Sequence, residues 1–124
     1  MLYIVVPAYN EEKSIGRVVR DLFQNRALQE SVGEYTVVVV DDGSTDSTTE
    51  NARLAGATVI RHAVNRGQGA ALETGDVFAL AHGARVVVHF DADEQMHADI
   101  PQPQVERRIG HERERHGGRR PVGD

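Results

Sequence analysis

Four short apolar runs, rich in β-branched residues, alternate with segments of helical period, and this alternation constrains the chain more than any other feature. Residues 2–6 form a run without polar interruption, as expected of a strand buried on both faces, and Pro7 should close it. Ile15, Val18, Val19, Leu22 and Phe23 then recur at the spacing of one helix face, which predicts a helix from about Glu11 to Gln24. Residues 35–40 read as a second strand, ending on Asp41-Asp42-Gly43. Ser47 and Glu50 stand at capping-box spacing, opening a helix that should stop at Gly56. A third strand at 58–60, a third helix at 70–81 with Gly83 beyond its end, and a fourth strand at 85–90 complete the order β-α-β-α-β-α-β.

Strict alternation of this kind predicts an α/β fold: a Rossmann-like parallel sheet with helices on both faces and right-handed crossovers. Ligands of such open sheets sit beyond the carboxyl ends of the strands. The residues there are 7–11, 41–44, 62–69 and 91–95, and acidic groups follow three of the four strands. Gathered carboxylates repel one another unless a cation or hydrogen-bond donors neutralise them.

Asp91, Asp93 and Gln95 alternate, so in an extended segment their oxygens point to one side. Hard oxygen ligands without His or Cys suit Mg²⁺ or Mn²⁺. A solvated Asp-x-Asp turn is the other reading, and the position at a strand's carboxyl end, beside Asp41-Asp42, favours the metal. Gly67 and Gly69 precede a helix, where backbone amides can approach a phosphate; tight loop geometry alone also explains them. Arg61 and Arg66 could offset diphosphate charge from that side, whereas His62 and His89 read as packed or solvent-facing in preference to catalytic. Tyr9 could cap the core or stack on a base, and no Ser/His/Asp or Cys/His nucleophile constellation emerges from the spacings.

Composition narrows the function classes. The chain of 124 residues has no cysteine, so disulfides and thiolate metal sites are excluded. Its longest aliphatic run, 37–40, is far below the ~20 residues of a membrane helix, and no basic-then-apolar leader precedes Leu2. These features predict a cytoplasmic protein. The net charge of −5 argues against nucleic-acid partners, which require a Lys/Arg surface. Charge is uneven: residues 1–104 carry 8 basic and 15 acidic side chains, and residues 105–124 carry 6 and 4.

Four stretches, Val5-Val6-Pro7-Ala8-Tyr9-Asn10-Glu11-Glu12, Val40-Asp41-Asp42-Gly43-Ser44-Thr45-Asp46, Asn65-Arg66-Gly67-Gln68-Gly69-Ala70-Ala71-Leu72 and Phe90-Asp91-Ala92-Asp93-Glu94-Gln95, together resemble the N-terminal half of a family 2 glycosyltransferase. The resemblance is to bacterial members related to dolichyl- and polyprenyl-phosphate sugar transferases. It implies a GT-A-type nucleotide-sugar-binding fold, with Pro7, Tyr9, Glu11 and Asp42 at the donor nucleotide and Arg66, Gly67 and Gly69 as phosphate-side candidates. Asp91, Asp93 and Gln95 would hold Mg²⁺ or Mn²⁺ and the donor diphosphate. The implied reaction is inverting transfer of a sugar from a nucleoside-diphosphate sugar to an acceptor, a polyprenyl phosphate or a saccharide. That acceptor class brings peripheral attachment at the inner membrane face into view.

The resemblance fades after Asp99-Ile100-Pro101, where the family continues with the acceptor site and the catalytic base. The expected division is therefore a nucleotide-sugar-binding half at 1–104 and a non-homologous, disordered Arg/Gly-rich tail at 105–124, as in a basic arm or an out-of-frame translation. With only Val105, Ile109 and Val122 aliphatic, that tail should add no strand. The fourth strand would then be an unpaired edge through which the chain self-associates. Two alternatives accompany the enzyme reading: a nucleotide-sugar-binding half-domain or gene fragment without independent catalysis, and a receiver-like Mg²⁺ pocket. The latter lacks the Thr and Lys that later strands would supply.

Overall fold

A computed structural model of the chain describes residues 1–92 and, as backbone, the strand at 105–108. Its elements run β1 (Leu2–Ala8), α1 (Ile15–Phe23), α2 (Arg26–Val32), β2 (Tyr35–Asp41), α3 (Thr48–Leu54), β3 (Thr58–Arg61), α4 (Gln68–Ala81), β4 (Val86–His89) and β5 (Val105–Arg108). The sheet order is β3-β2-β1-β4-β5, with β1 to β4 parallel and β5 antiparallel to β4. The α/β reading holds, with helices on both faces.

Alternation along the strands divides the core. Ile4 and Val6 of β1 and Val37 and Val39 of β2 face α1 and α3, where they meet Ile15, Val18, Val19, Leu22 and Ala52. Tyr3, Val5, Val38, Val40 and Val87 face the other way, against Ala71 and Ala79 of α4. Burial on both faces explains why these strands read as continuous apolar runs. α4 lies close on β1: a Cβ on Gly75 would stand 2.3 Å from Val5 Cγ1.

Several boundaries differ from expectation. β1 continues through Pro7, which is paired with Val40. Val5 O accepts from Phe90 N on the β4 side at 3.0 Å, so Pro7, two residues on, turns its missing N–H toward the same side, past the last β1–β4 pair, Val5 with His89. α1 starts at Ile15, preceded by a turn in which Glu11 O accepts from Ser14 N and Ile15 N. Ser47 is the N-cap of α3 without using its side chain; Asp46 Oδ1 accepts from Thr48 N at 3.0 Å in place of the expected capping box. α2 was not foreshadowed because it buries no residue and so has no apolar stripe; its sequence signals are the cap Asn25, whose Oδ1 accepts from Leu28 N at 3.0 Å, and Gly33 at φ 76°.

The largest correction concerns the tail. β5 pairs with all of β4, from Val86 opposite Arg108 to His89 opposite Val105. Few aliphatics do not prevent a strand here, because an edge strand is held by backbone hydrogen bonds to a neighbour that is already in place. β4 is therefore an interior strand, and the unpaired β4 edge expected to drive self-association is covered. Among the described residues, no helix is long and apolar enough to cross a membrane.

Candidate functional site

The loops after β1, β2, β3 and β4 meet at the carboxyl ends of the strands, around a cleft of ≈ 270 Å³. Pro7, Tyr9 and Glu11 line it from the end of β1, Asp42 from β2, Gly67 and Gln68 from the start of α4, and Asp91 from β4. Six of the residues singled out in the sequence are thus brought together: Pro7, Tyr9, Glu11, Asp42, Gly67 and Asp91. Arg66 and Gly69 are not among the cleft's lining residues, and Asp93 and Gln95 lie outside the described residues.

The two adjacent aspartates of β2 have different tasks. Asp41 is fully buried. Its Oδ1 accepts from Ser44 N at 2.9 Å and its Oδ2 from Arg61 Nη1 at 3.1 Å and from Thr49 Oγ1. Arg61 also donates from Nη2 to Ser44 O at 2.7 Å, so its guanidinium braces the β2 loop, and it is not among the cleft's lining residues. Asp42, 3% exposed, accepts from His62 Nδ1 at 2.7 Å and Arg66 N at 2.9 Å on Oδ1, and from Gly67 N at 2.7 Å on Oδ2. Burial pushes its carboxyl up, but these donors, with the charge His62 carries when protonated, outweigh that and hold it below the usual value. The amides of Arg66 and Gly67 are engaged by this carboxylate, which is the loop-geometry reading of the glycine-containing stretch at those two positions.

Asp41 and Asp42 are thus satisfied from within by amides, a hydroxyl, a guanidinium and an imidazole. His62 and His89 are both packed: His62 Nε2 lies 2.8 Å from Thr74 Oγ1, and His89 Nε2 lies 2.8 Å from Asp76 Oδ1. Gly43, at φ 81°, lets the β2 loop abut the loop after β3, since a Cβ there would stand 2.6 Å from Asn65 N.

A second set of bonds, which spacing did not reveal, clasps the β1 loop to the β2 loop. Asn10 N donates to Ser44 Oγ at 2.7 Å, Thr45 N to Asn10 Oδ1 at 2.9 Å, and Glu11 N to Thr48 Oγ1 at 2.8 Å. Glu12 N donates to Asp46 Oδ2 at 3.3 Å, and Ser47 N to Glu12 Oε1 at 3.0 Å. Asn10 has φ 53°, a left-handed conformation that Asn tolerates better than most side chains. It lies between Tyr9 and Glu11, both of which line the cleft.

Asp91 brings a hard oxygen donor to the cleft, of the type Mg²⁺ and Mn²⁺ prefer. Among the described residues, no three His, Cys, Asp or Glu side chains are grouped to hold a metal ion.

Known proteins share this sequence and arrangement. An uncharacterized protein of Methanocaldococcus jannaschii is 45% identical over 96 residues, covering 77% of this chain and 37% of its own length. A UDP-N-acetylglucosamine–dolichyl-phosphate N-acetylglucosaminyltransferase of Methanococcus voltae is 34% identical over 112 residues, covering 77% and 42%. The chain thus spans about two fifths of the length of these curated relatives. Among solved structures, glucosyl-3-phosphoglycerate synthase of Mycobacterium tuberculosis with Mn²⁺, UDP-glucose and phosphoglyceric acid superposes at TM-score 0.58 with 30% identity, over 75% of this chain and 33% of that one. A mannosyltransferase of Pyrobaculum calidifontis with GDP-Man and Mn²⁺ gives TM-score 0.60 with 30% identity, over 74% and 27%. The family model Glycosyl transferase family 2 matches residues 3–114, beyond the point where the four motifs end, and the chain belongs to that family.

Proposed function

We propose that this chain binds the nucleoside-diphosphate sugar of a glycosyltransferase reaction in the cleft at the carboxyl ends of its strands, as the donor half of a metal-dependent, inverting transfer. The observation that carries this reading is the convergence of Pro7, Tyr9, Glu11, Asp42 and Asp91 on one cleft. An ionised carboxylate offers about four acceptor sites. Asp42 uses three of them internally, which leaves one on Oδ2 for an N–H of the nucleotide base. Tyr9, 45% exposed at the rim, offers an aromatic face to the same base.

Asp91, with Asp93 and Gln95, would hold Mg²⁺ or Mn²⁺, and Mn²⁺ accompanies the nucleotide sugar in both structural neighbours named above. A bound ion there supplies charge stabilisation to the departing diphosphate. With the Arg66 and Gly67 amides given to Asp42, the phosphate-side candidates that stay available are the Arg66 guanidinium and Gly69. The acceptor is a polyprenyl phosphate or a saccharide; an ionised lipid phosphate needs no base, whereas a hydroxyl does. The M. voltae relative's name, with its dolichyl phosphate, supports the lipid phosphate and with it a cytoplasmic site of action at the membrane face.

Calorimetric titration with UDP-, GDP- and dTDP-sugars, with and without Mn²⁺, tests this. Saturable binding that depends on Mn²⁺, and loses that dependence in Asp93→Ala, is expected. Absence of binding to every nucleotide under every metal condition rejects the donor site. A second reading, donor binding without turnover by the chain as given, predicts the same titration with no sugar transferred or hydrolysed.

A further inference from the structure

His62 stands where β3 gives way to the loop leading into α4, 7% exposed, and its ring joins two elements. Nδ1 faces Asp42 Oδ1 at 2.7 Å and Nε2 faces Thr74 Oγ1, on α4, at 2.8 Å. An ionised carboxylate only accepts, so the ring donates through Nδ1–H, and in the neutral ring Nε2 accepts from the Thr74 hydroxyl. Asp42 thereby sets the tautomer, and Thr74, whose hydroxyl turns to suit, holds the angle of the ring. Arg66 N and Gly67 N hold Asp42 from one side of the loop at 2.9 and 2.7 Å, and the His62 ring is the side chain that donates to the same carboxylate. The torsion at the end of an aspartate is broad, and the ring, tied to α4 through Thr74, adds a donor to Oδ1 that does not depend on the loop carrying the two amides.

We infer that His62 is a positioning residue: its Nδ1–H, braced by Thr74, fixes the Asp42 carboxylate so that the remaining acceptor site of Oδ2 is turned to the cleft for the base of the donor nucleotide. The nucleotide part rests on the donor-binding reading above; the fixing of Asp42 does not.

Two isosteric variants separate the halves of the ring. His62→Asn places an amide N–H where Nδ1 was and keeps the donor to Asp42, whereas His62→Gln places its amide near Nε2, keeps the reach to Thr74 and leaves Asp42 without that donor. Calorimetry on the full chain with UDP and with GDP, each with Mn²⁺, should find His62→Asn within about twofold of the unmodified protein and His62→Gln weaker by about tenfold, the scale of one hydrogen bond to a charged group. Equal losses in the two variants, or none in either, overturn the inference, because a merely structural histidine does not distinguish which ring nitrogen is mimicked. Hydrogen exchange at the Arg66 and Gly67 amides, without nucleotide, reads the same role independently: faster in His62→Gln and unchanged in His62→Asn. If the unmodified protein binds neither nucleotide, the donor reading fails, and equal exchange in both variants then overturns the role of His62 as well. Should His62→Gln not fold, Thr74→Val releases the ring from the α4 side; exchange at those two amides is expected to quicken, and unchanged rates overturn the inference.

Discussion

Asp42 illustrates how a buried charge is made tolerable. Burial alone raises its carboxyl, and the Arg66 amide, the His62 ring and the Gly67 amide together reverse that, holding it below the ordinary 3.8. A carboxyl depressed in the folded state contributes stability that is present above its unfolded value and is lost as pH falls through the lowered folded value. Asp42→Asn, whose amide meets donors with a donor, is therefore expected to unfold about 1–3 kcal/mol more easily at pH 7. The gap to the unmodified protein should narrow as pH drops below 3.8. Urea titrations at neutral and acid pH check this, and a gap independent of pH would show that the ionised form is not what the donors hold. Asn10 allows a separation of backbone from side chain. Asn10→Ala loses the acceptor for Thr45 N and also places a Cβ-bearing aliphatic residue at φ 53°, whereas Asn10→Gly loses only the acceptor. Alanine should be the less stable of the two by about 1 kcal/mol in thermal or urea unfolding. Equal stabilities would mean the left-handed turn costs nothing here. The acidic pair was legible in the sequence and the resemblance singled out Asp42, but the bonds that divide the tasks of Asp41 and Asp42 were not. Which of two adjacent carboxylates turns inward depends on where Arg61 and the amides of 66 and 67 arrive, and those are placed by the packing of β3 and α4.

At the scale of elements, the close approach of α4 to β1 makes Gly75 a test of packing against propensity. Alanine is the better helix former by about 1 kcal/mol. Its Cβ would stand 2.3 Å from Val5 Cγ1 and 3.0 Å from Cγ2, and overpacking of this kind costs about 1–3 kcal/mol. Gly75→Ala is accordingly expected to be destabilising despite the gain in propensity. Combined with Val5→Ala, which removes both methyl groups, it should be less destabilised than the two single changes summed, by about 1 kcal/mol. Strict additivity in urea unfolding would count against contact between the two residues. The elements themselves divide by how they are held. β1, β2, α1 and α4 were legible to within a few residues, because each presents apolar side chains to a core, whereas α3, with Ala52 alone in the core, was placed by Ser47 and Gly56 at its ends. α2 and β5 left no apolar pattern. One buries no side chain, and the other rests on a backbone ladder to β4, so residue type says little about either.

For the whole molecule, the strand at Val105–Arg108 changes where the sheet ends. With β5 in place, β4 has a partner on both sides, β1 parallel and β5 antiparallel, and among the described residues the outer strands are β3 and β5. A chain shortened to end at Gln104 would return β4 to the edge, with the backbone groups of Val86–His89 that now face β5 left to water or to another molecule. Net hydrogen bonds contribute about 1 kcal/mol each, so loss of this short ladder should lower unfolding free energy by about 1–3 kcal/mol in urea. The shortened chain also gains charge: residues 1–104 carry 8 basic and 15 acidic side chains, net −7 against −5 for the full chain. Edge pairing favours association while like charge opposes it, and salt screens only the second. Sedimentation over a range of concentrations should therefore find the shortened chain self-associating more than the full chain, and increasingly so as ionic strength rises. If both chains share one urea midpoint and stay monomeric at high salt, β5 does not contribute to holding the sheet together.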